Sequence, residues 1–269
     1  MSAMAFSQNT TIGANDTSLN WQRSGAGQPV MLVHGITESS TTWDPVAERL
    51  SKHFDVIVVD LRGHGSSGTA DDYGLAAMAG DLAAVISDCG IEPPHLVGHS
   101  LGGAVVSTAA AAFPVASVVN VDQSLQLGAF KEQLGAVEPM LRDAASFEAV
   151  MVALFDGLKG SLLTAEEDSR IAAARRPDQD VVLGVWDLIF SSTTEEIDSE
   201  IDQALAGFAA HPVPYLSLFG IDPGDGYAEW LGARIPGALV ELWADHGHYP
   251  HLVEPDRFCD RISEFWSNY

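Results

Sequence analysis

Leu96-Val97-Gly98-His99-Ser100-Leu101-Gly102-Gly103-Ala104-Val105 is the stretch on which the reading of this chain turns. Leu96-Val97 has the character of a buried strand end, whereas Leu101, Ala104, Val105 and Thr108 recur at helical spacing. A side chain at such a junction protrudes from the top of a sheet only if its backbone bends sharply and its neighbours lack bulk. The flanking glycines meet that condition. Ser100 is therefore the candidate nucleophile. A strand-to-helix turn whose serine merely caps the helix would give the same five residues, so the rest of the chain has to decide.

A serine hydroxyl is a poor nucleophile at neutral pH unless a base takes its proton, and the base in turn needs a group that orients it. Trp243-Ala-Asp-His-Gly-His-Tyr-Pro-His251 supplies three imidazoles in a turn-rich loop between the strand-like run 238–243 and a helix on which Phe258, Ile262, Phe265 and Trp266 share a face. His248 follows the small Gly247 and precedes Tyr249-Pro250, which leaves its ring free to turn toward a neighbouring strand end. Zinc would need at least three ligands in fixed geometry, with Pro250 and Gly247 bending the loop around the ion. No metal is expected here.

Strand-like runs at 30–33, 55–60, 95–98, 118–122, 213–219 and 238–243 are rich in Val, Leu and Ile without strict alternation, the pattern of parallel strands covered on both faces. Helical stretches lie between them, at 43–50 and through Leu82, Val85, Ile86 and Cys89. Residues 4–22 read as one or two antiparallel opening strands. The chain thus reads as α/β, a mostly parallel sheet with helices on both faces. The interval 123–212 breaks the alternation. It shows helical stripes through Phe147, Val150, Met151, Leu154, Phe155 and Leu158, through Val182, Val185, Trp186, Ile189 and Phe190, and through Ile197, Ile201, Leu205 and Phe208.

Four motifs in register resemble the α/β-hydrolase family along nearly the whole chain. Val33-His34-Gly35 follows the first buried strand, Asp60-Leu61-Arg62-Gly63-His64-Gly65-Ser66 the second, then come Gly98 to Gly103 and finally Gly247-His248. The resemblance implies a hydrolase core over residues 1–122 and 213–269, with 123–212 inserted as a helical cap. It implies a triad in the chain order serine, acid, histidine, which maps onto Ser100 and His248. For the acid, Asp222 is the first choice. It follows the strand-like run closed by Gly220, although many relatives place the acid three residues after that glycine rather than two. Asp122, at the end of the strand after the nucleophile helix, is the alternative, and an Asp before Pro223 is also a common turn former. The oxyanion-hole donors implied are the N–H groups of Leu101, at the positive end of a helix, and Ile36. His34, His64 and His99 read as architectural. Met151, Phe155 and Trp186 are the expected pocket wall of the cap.

The implied activity is hydrolysis of a carboxylic ester or lactone through an acyl-enzyme, without a cofactor. Carbon–carbon bond hydrolysis, perhydrolysis and cofactor-free oxygenation share the same triad, and a binding protein that has lost turnover would share the pocket. Dehalogenase and epoxide hydrolase chemistry is disfavoured, because those relatives carry an aspartate where Ser100 stands. With 37 acidic against 13 basic residues the formal charge is −24, which repels nucleic acid and anionic membranes and suits a neutral, partly apolar small molecule. The first residues show neither a basic region nor an apolar run, and no apolar stretch approaches the length of a membrane span. Cys89 and Cys259 read as reduced core residues, so the cytoplasm is the expected location. Nothing in the sequence fixes the oligomeric state.

Overall fold

The computed structural model describes residues 6–269. Strands β1 (Ser7–Ile12) and β2 (Ser18–Gly25) pair antiparallel, as expected for the opening of the chain; residues 4 and 5 lie outside the described residues. Strand and helix then alternate: β3 (Pro29–Val33), α1 (Asp44–Leu50), β4 (Asp55–Val59), α2 (Leu75–Cys89), β5 (His95–His99), α3 (Leu101–Ala112) and β6 (Ser117–Val121). Six helices follow: α4 (Leu127–Arg142), α5 (Phe147–Leu158), α6 (Ala165–Ala174), α7 (Gln179–Val185), α8 (Asp187–Ser191) and α9 (Thr194–Leu205). The chain returns to the sheet in β7 (Tyr215–Phe219), α10 (Tyr227–Arg234) and β8 (Leu239–Leu242), and ends in α11 (Pro250–Val253) and α12 (Pro255–Ser267).

The strands form one sheet in the order β1-β2-β4-β3-β5-β6-β7-β8, parallel from β4 onward. Every residue of β3 to β7 is buried, which is why these runs show no alternation in the sequence. Side chains still point alternately to two layers. Met31, Val33, Leu96 and Val118 pack with α2, α3 and the inserted helices, whereas Val30, Leu32, Val97 and Val119 pack with α1 and α12. The chain leaves β3 toward β4 on one side and returns to β5 on the other. That reversal opens a crevice beyond the C-terminal ends of β3 and β5, the place where open α/β sheets bind ligands.

Two details differ from the expected helices. The stripe from Val182 to Phe190 is divided at Trp186, whose backbone (φ −93°, ψ 7°) leaves the helix between α7 and α8. A Cβ at Gly184 would lie 2.6 Å from the Tyr73 ring, so the break seats this segment against the core loop. Helices α4 and α6 lie outside the three expected stripes: α4 runs on through Pro139 with Leu127, Leu134 and Leu141 buried on one face, and Ile171 is the one buried residue of α6.

Burial lowers the basicity of four imidazoles. His64 and His95 are each pushed down to about 4, and His34 and His251 are also lowered, with desolvation the leading cause in all four. Each folded value lies below the unfolded one of about 6.5, so the unfolded chain binds more protons between these values and folding stability falls as pH falls through that window. Denaturant midpoints should therefore decline from pH 6.5 toward 4, and His95→Gln, which cannot titrate, should flatten part of the decline.

Candidate active site

The junction of β5 and α3 fixes Ser100 in a left-handed backbone conformation (φ 51°, ψ −124°), unusual for a residue with a side chain. Close packing leaves the glycines no substitute. A Cβ at Gly98 would stand 2.1 Å from the Gly102 carbonyl, and one at Gly102 would stand 2.2 Å from the Val33 carbonyl. The Ser100 N–H donates to the Val121 carbonyl at 3.0 Å, tying the turn to β6.

His248 lies across the crevice, on the loop between β8 and α11, and its ring is almost fully enclosed. Its Nδ1 is 2.6 Å from Asp122 Oδ2. A carboxylate only accepts, so Nδ1 carries the proton and Nε2 is left as the basic nitrogen. Asp122 sits one residue beyond β6, itself left-handed (φ 53°). Its Oδ1 accepts the N–H groups of Gly220, at 2.7 Å, and Ile221, at 3.0 Å. The turn after β7 thus contributes two backbone donors to this carboxylate.

Asp222, the first choice from sequence, is not beside His248. It is exposed, and its Oδ1 accepts the N–H of Gly224 at 2.9 Å, the turn-forming use of an Asp before Pro. Asp122 occupies the position instead. The reason is the register: β6 and β7 run parallel, and the Gly220–Ile221 backbone closes over the tip of β6, so Asp122 lies within the crevice and Asp222 at its rim.

Ser100, Asp122, His248, Ile36 and Leu101 share one cavity of about 1330 Å³ with the inserted helices. Met151, Phe155 and Trp186 line it too. Leu101 opens α3, so its N–H has no acceptor within the helix. His34 uses both ring nitrogens on backbone groups, the Gly35 carbonyl and the Leu61 N–H. His64 Nδ1 lies 2.8 Å from the Arg62 carbonyl.

The loop's other imidazoles do not converge. His246 Nε2 meets Glu254 at 2.7 Å, whereas His251 is buried against Trp43, Phe258 and His99. Among the described residues no group of three His, Cys, Asp or Glu side chains is placed to hold a metal ion. Sequence reasoning missed Glu38, a buried carboxylate that touches Gly35, His99 and Tyr249. Its one signal was an acidic residue three positions after the His34-Gly35 turn that follows the apolar β3.

The model of the alpha/beta hydrolase family matches residues 30–261, and the chain belongs to that family. N-formylmaleamate deformylase of Pseudomonas putida is 43% identical over 103 residues, covering 37% of this chain and 38% of the relative. Pimeloyl-[acyl-carrier protein] methyl ester esterase of Cronobacter sakazakii is 28% identical over 267 residues, covering 90% of this chain and 94% of the relative. The crystal structure of E-2-(acetamidomethylene)succinate hydrolase superposes with a TM-score of 0.73 at 24% identity, over 97% of this chain and 99% of that one.

Two matched substitutions separate the carboxylates. With folding unchanged by thermal denaturation, Asp122→Asn should lower kcat by about 10⁴, the scale of losing the orienting acid of a triad. Asp222→Asn should stay within about twofold, as for an exposed turn residue.

Proposed function

We propose that this α/β-hydrolase cleaves a carboxylic ester or lactone through an acyl-enzyme formed on Ser100. The observation that carries the reading is the 2.6 Å contact between His248 Nδ1 and Asp122, which leaves Nε2 as the basic nitrogen of a ring on the wall of the cavity that Ser100 also lines. His248 Nε2 takes the Ser100 proton as Oγ forms a bond to the carbonyl carbon, and the carbonyl electron pair moves onto its oxygen. The N–H groups of Leu101 and Ile36 receive that oxyanion. The carbonyl re-forms, the C–O bond to the leaving alcohol breaks, and His248 returns the proton to the alcohol. Water then repeats the sequence on the acyl-enzyme, releasing the acid and restoring Ser100. Asp122 keeps its charge throughout and stabilises the imidazolium.

The inserted helices α4 to α9 serve in this reading as the cap. Phe130, Met151, Phe155, Trp186, Leu188 and Ile201 make the cavity wall predominantly apolar. Its cation, Arg142, is engaged by Glu138 at 2.8 Å, while Asp71, Asp72, Asp187 and Glu200 add negative charge around it. A neutral, apolar acyl group therefore fits better than one bearing a carboxylate. Amide cleavage is the second reading, favoured by the likeness to the deformylase over 103 residues. Among the described residues no helix is long and apolar enough to cross a membrane. Cys89 and Cys259 are free thiols, which fits a reducing compartment such as the cytoplasm.

Nitrophenyl esters of hexanoate should be turned over, with kcat/KM about tenfold or more above the corresponding succinate half-ester, given the wall's charge. Ser100→Ala should reduce turnover by several orders of magnitude. Wild-type rates in that variant, or preference for the anionic ester, would count against the reading.

A further inference from the structure

The inserted segment 158–176 lines the cavity only through Leu158, yet it makes main-chain contact with the histidine loop itself. The N–H of His248 donates to the Leu158 carbonyl at 2.9 Å, and Lys159 pairs with Gly247 as an antiparallel bridge. The two backbones cross so closely that a Cβ on Gly160 would lie 2.4 Å from the Gly247 nitrogen, and one on Gly247 (φ 60°) 1.9 Å from the Gly160 nitrogen. Only glycine on both sides allows this approach.

A second contact is made through a buried polar chain. Arg175, stacked 3.8 Å above the Phe155 ring, donates to the Tyr249 hydroxyl, which donates to Glu38 Oε1 at 3.1 Å. Glu38 Oε2 accepts the Gly35 N–H at 3.2 Å and faces His99 Nδ1 at 3.3 Å, while His99 Nε2 donates to the His248 carbonyl at 2.7 Å. Burial alone would raise the Glu38 carboxyl, but His99, Arg175 and His34 outweigh it and hold it well below the usual carboxylate range. One ionised carboxylate thus joins the loop carrying the Ile36 N–H to the loop carrying His248, and a cation from the insertion reaches it through one phenol.

We propose that segment 158–176 is a positioning element of the catalytic site, holding His248 through the Gly160–Gly247 crossing and through the chain Arg175–Tyr249–Glu38–His99. This rests on the Ser100–His248 reading given above. A cap that only selected substrate would act on KM. A cap that holds the base acts on kcat, since misplacement by about 1 Å is enough to cost on the order of 10²-fold in rate.

The test compares purified wild-type protein with Gly160→Ala, Arg175→Met, Arg175→Lys, Tyr249→Phe and Ser100→Ala. It uses nitrophenyl acetate, whose acyl group is too short to need the cap wall, and a small sulfonyl fluoride whose inactivation rate reads activation of Ser100 directly. Thermal denaturation accompanies each variant. Gly160→Ala and Arg175→Met should each lower kcat and the inactivation rate together by about tenfold or more, with KM within about twofold. Tyr249→Phe should lower both in the same direction, and Arg175→Lys, which keeps the cation, should recover much of the loss. If Gly160→Ala does not fold, the Arg175 and Tyr249 variants decide. Folded variants with wild-type kcat and inactivation rate, or with changes confined to KM, would overturn the proposal. Inactivation of Ser100→Ala at the wild-type rate would instead overturn the underlying reading, so the two failures are told apart.

Discussion

The carboxylate of Asp122 is the point at which the upper edge of the sheet is held together. One oxygen accepts two N–H groups from the turn after β7, and the other orients the ring of His248 from the loop after β8. Three successive strand ends are thereby fixed by one charge in a buried setting, where hydrogen bonds to an ionised acceptor are strong. Ser100, on the turn after β5, is held from the other side by the Val121 carbonyl, the residue immediately before Asp122. Ser100, Asp122 and His248 therefore share one short segment of β6 as their reference.

This arrangement explains which parts of the site could be read from the chain. Ser100 was legible because its turn forces glycine at 98 and 102, where any side chain would strike backbone carbonyls. The strands were legible because full burial leaves uninterrupted Val, Leu and Ile. The acid was not, because both candidates stand at strand ends. What separates Asp122 from Asp222 is the path of the Gly220–Ile221 backbone, and backbone donors leave no trace in residue identity. Helix α6 escaped for a different reason, since Ile171 is its one buried residue and leaves no apolar stripe to read.

The histidines make the same point from the other direction. Nine occur in the chain, and those at 34, 64, 95, 99, 246, 248 and 251 are all buried. Residue type alone gives them equal standing as bases. Their surroundings do not: His34 is committed to backbone groups, His95 lies against Ser117 and stacks on Trp266, and His99 bridges Glu38 and a carbonyl. His248 combines a carboxylate on one nitrogen with a place on the cavity wall. Chemistry follows from the partner of each ring and from what the remaining nitrogen faces.

The central claim is that the Ser100 hydroxyl becomes covalently acylated during turnover. Rapid acid quenching of the enzyme mixed with excess nitrophenyl hexanoate, followed by proteolysis and mass spectrometry, measures this directly. The account predicts a hexanoyl adduct on the peptide that contains Ser100, formed in a burst of about one equivalent per chain. Steady turnover with that peptide unmodified, or with the acyl group on another residue, would contradict it.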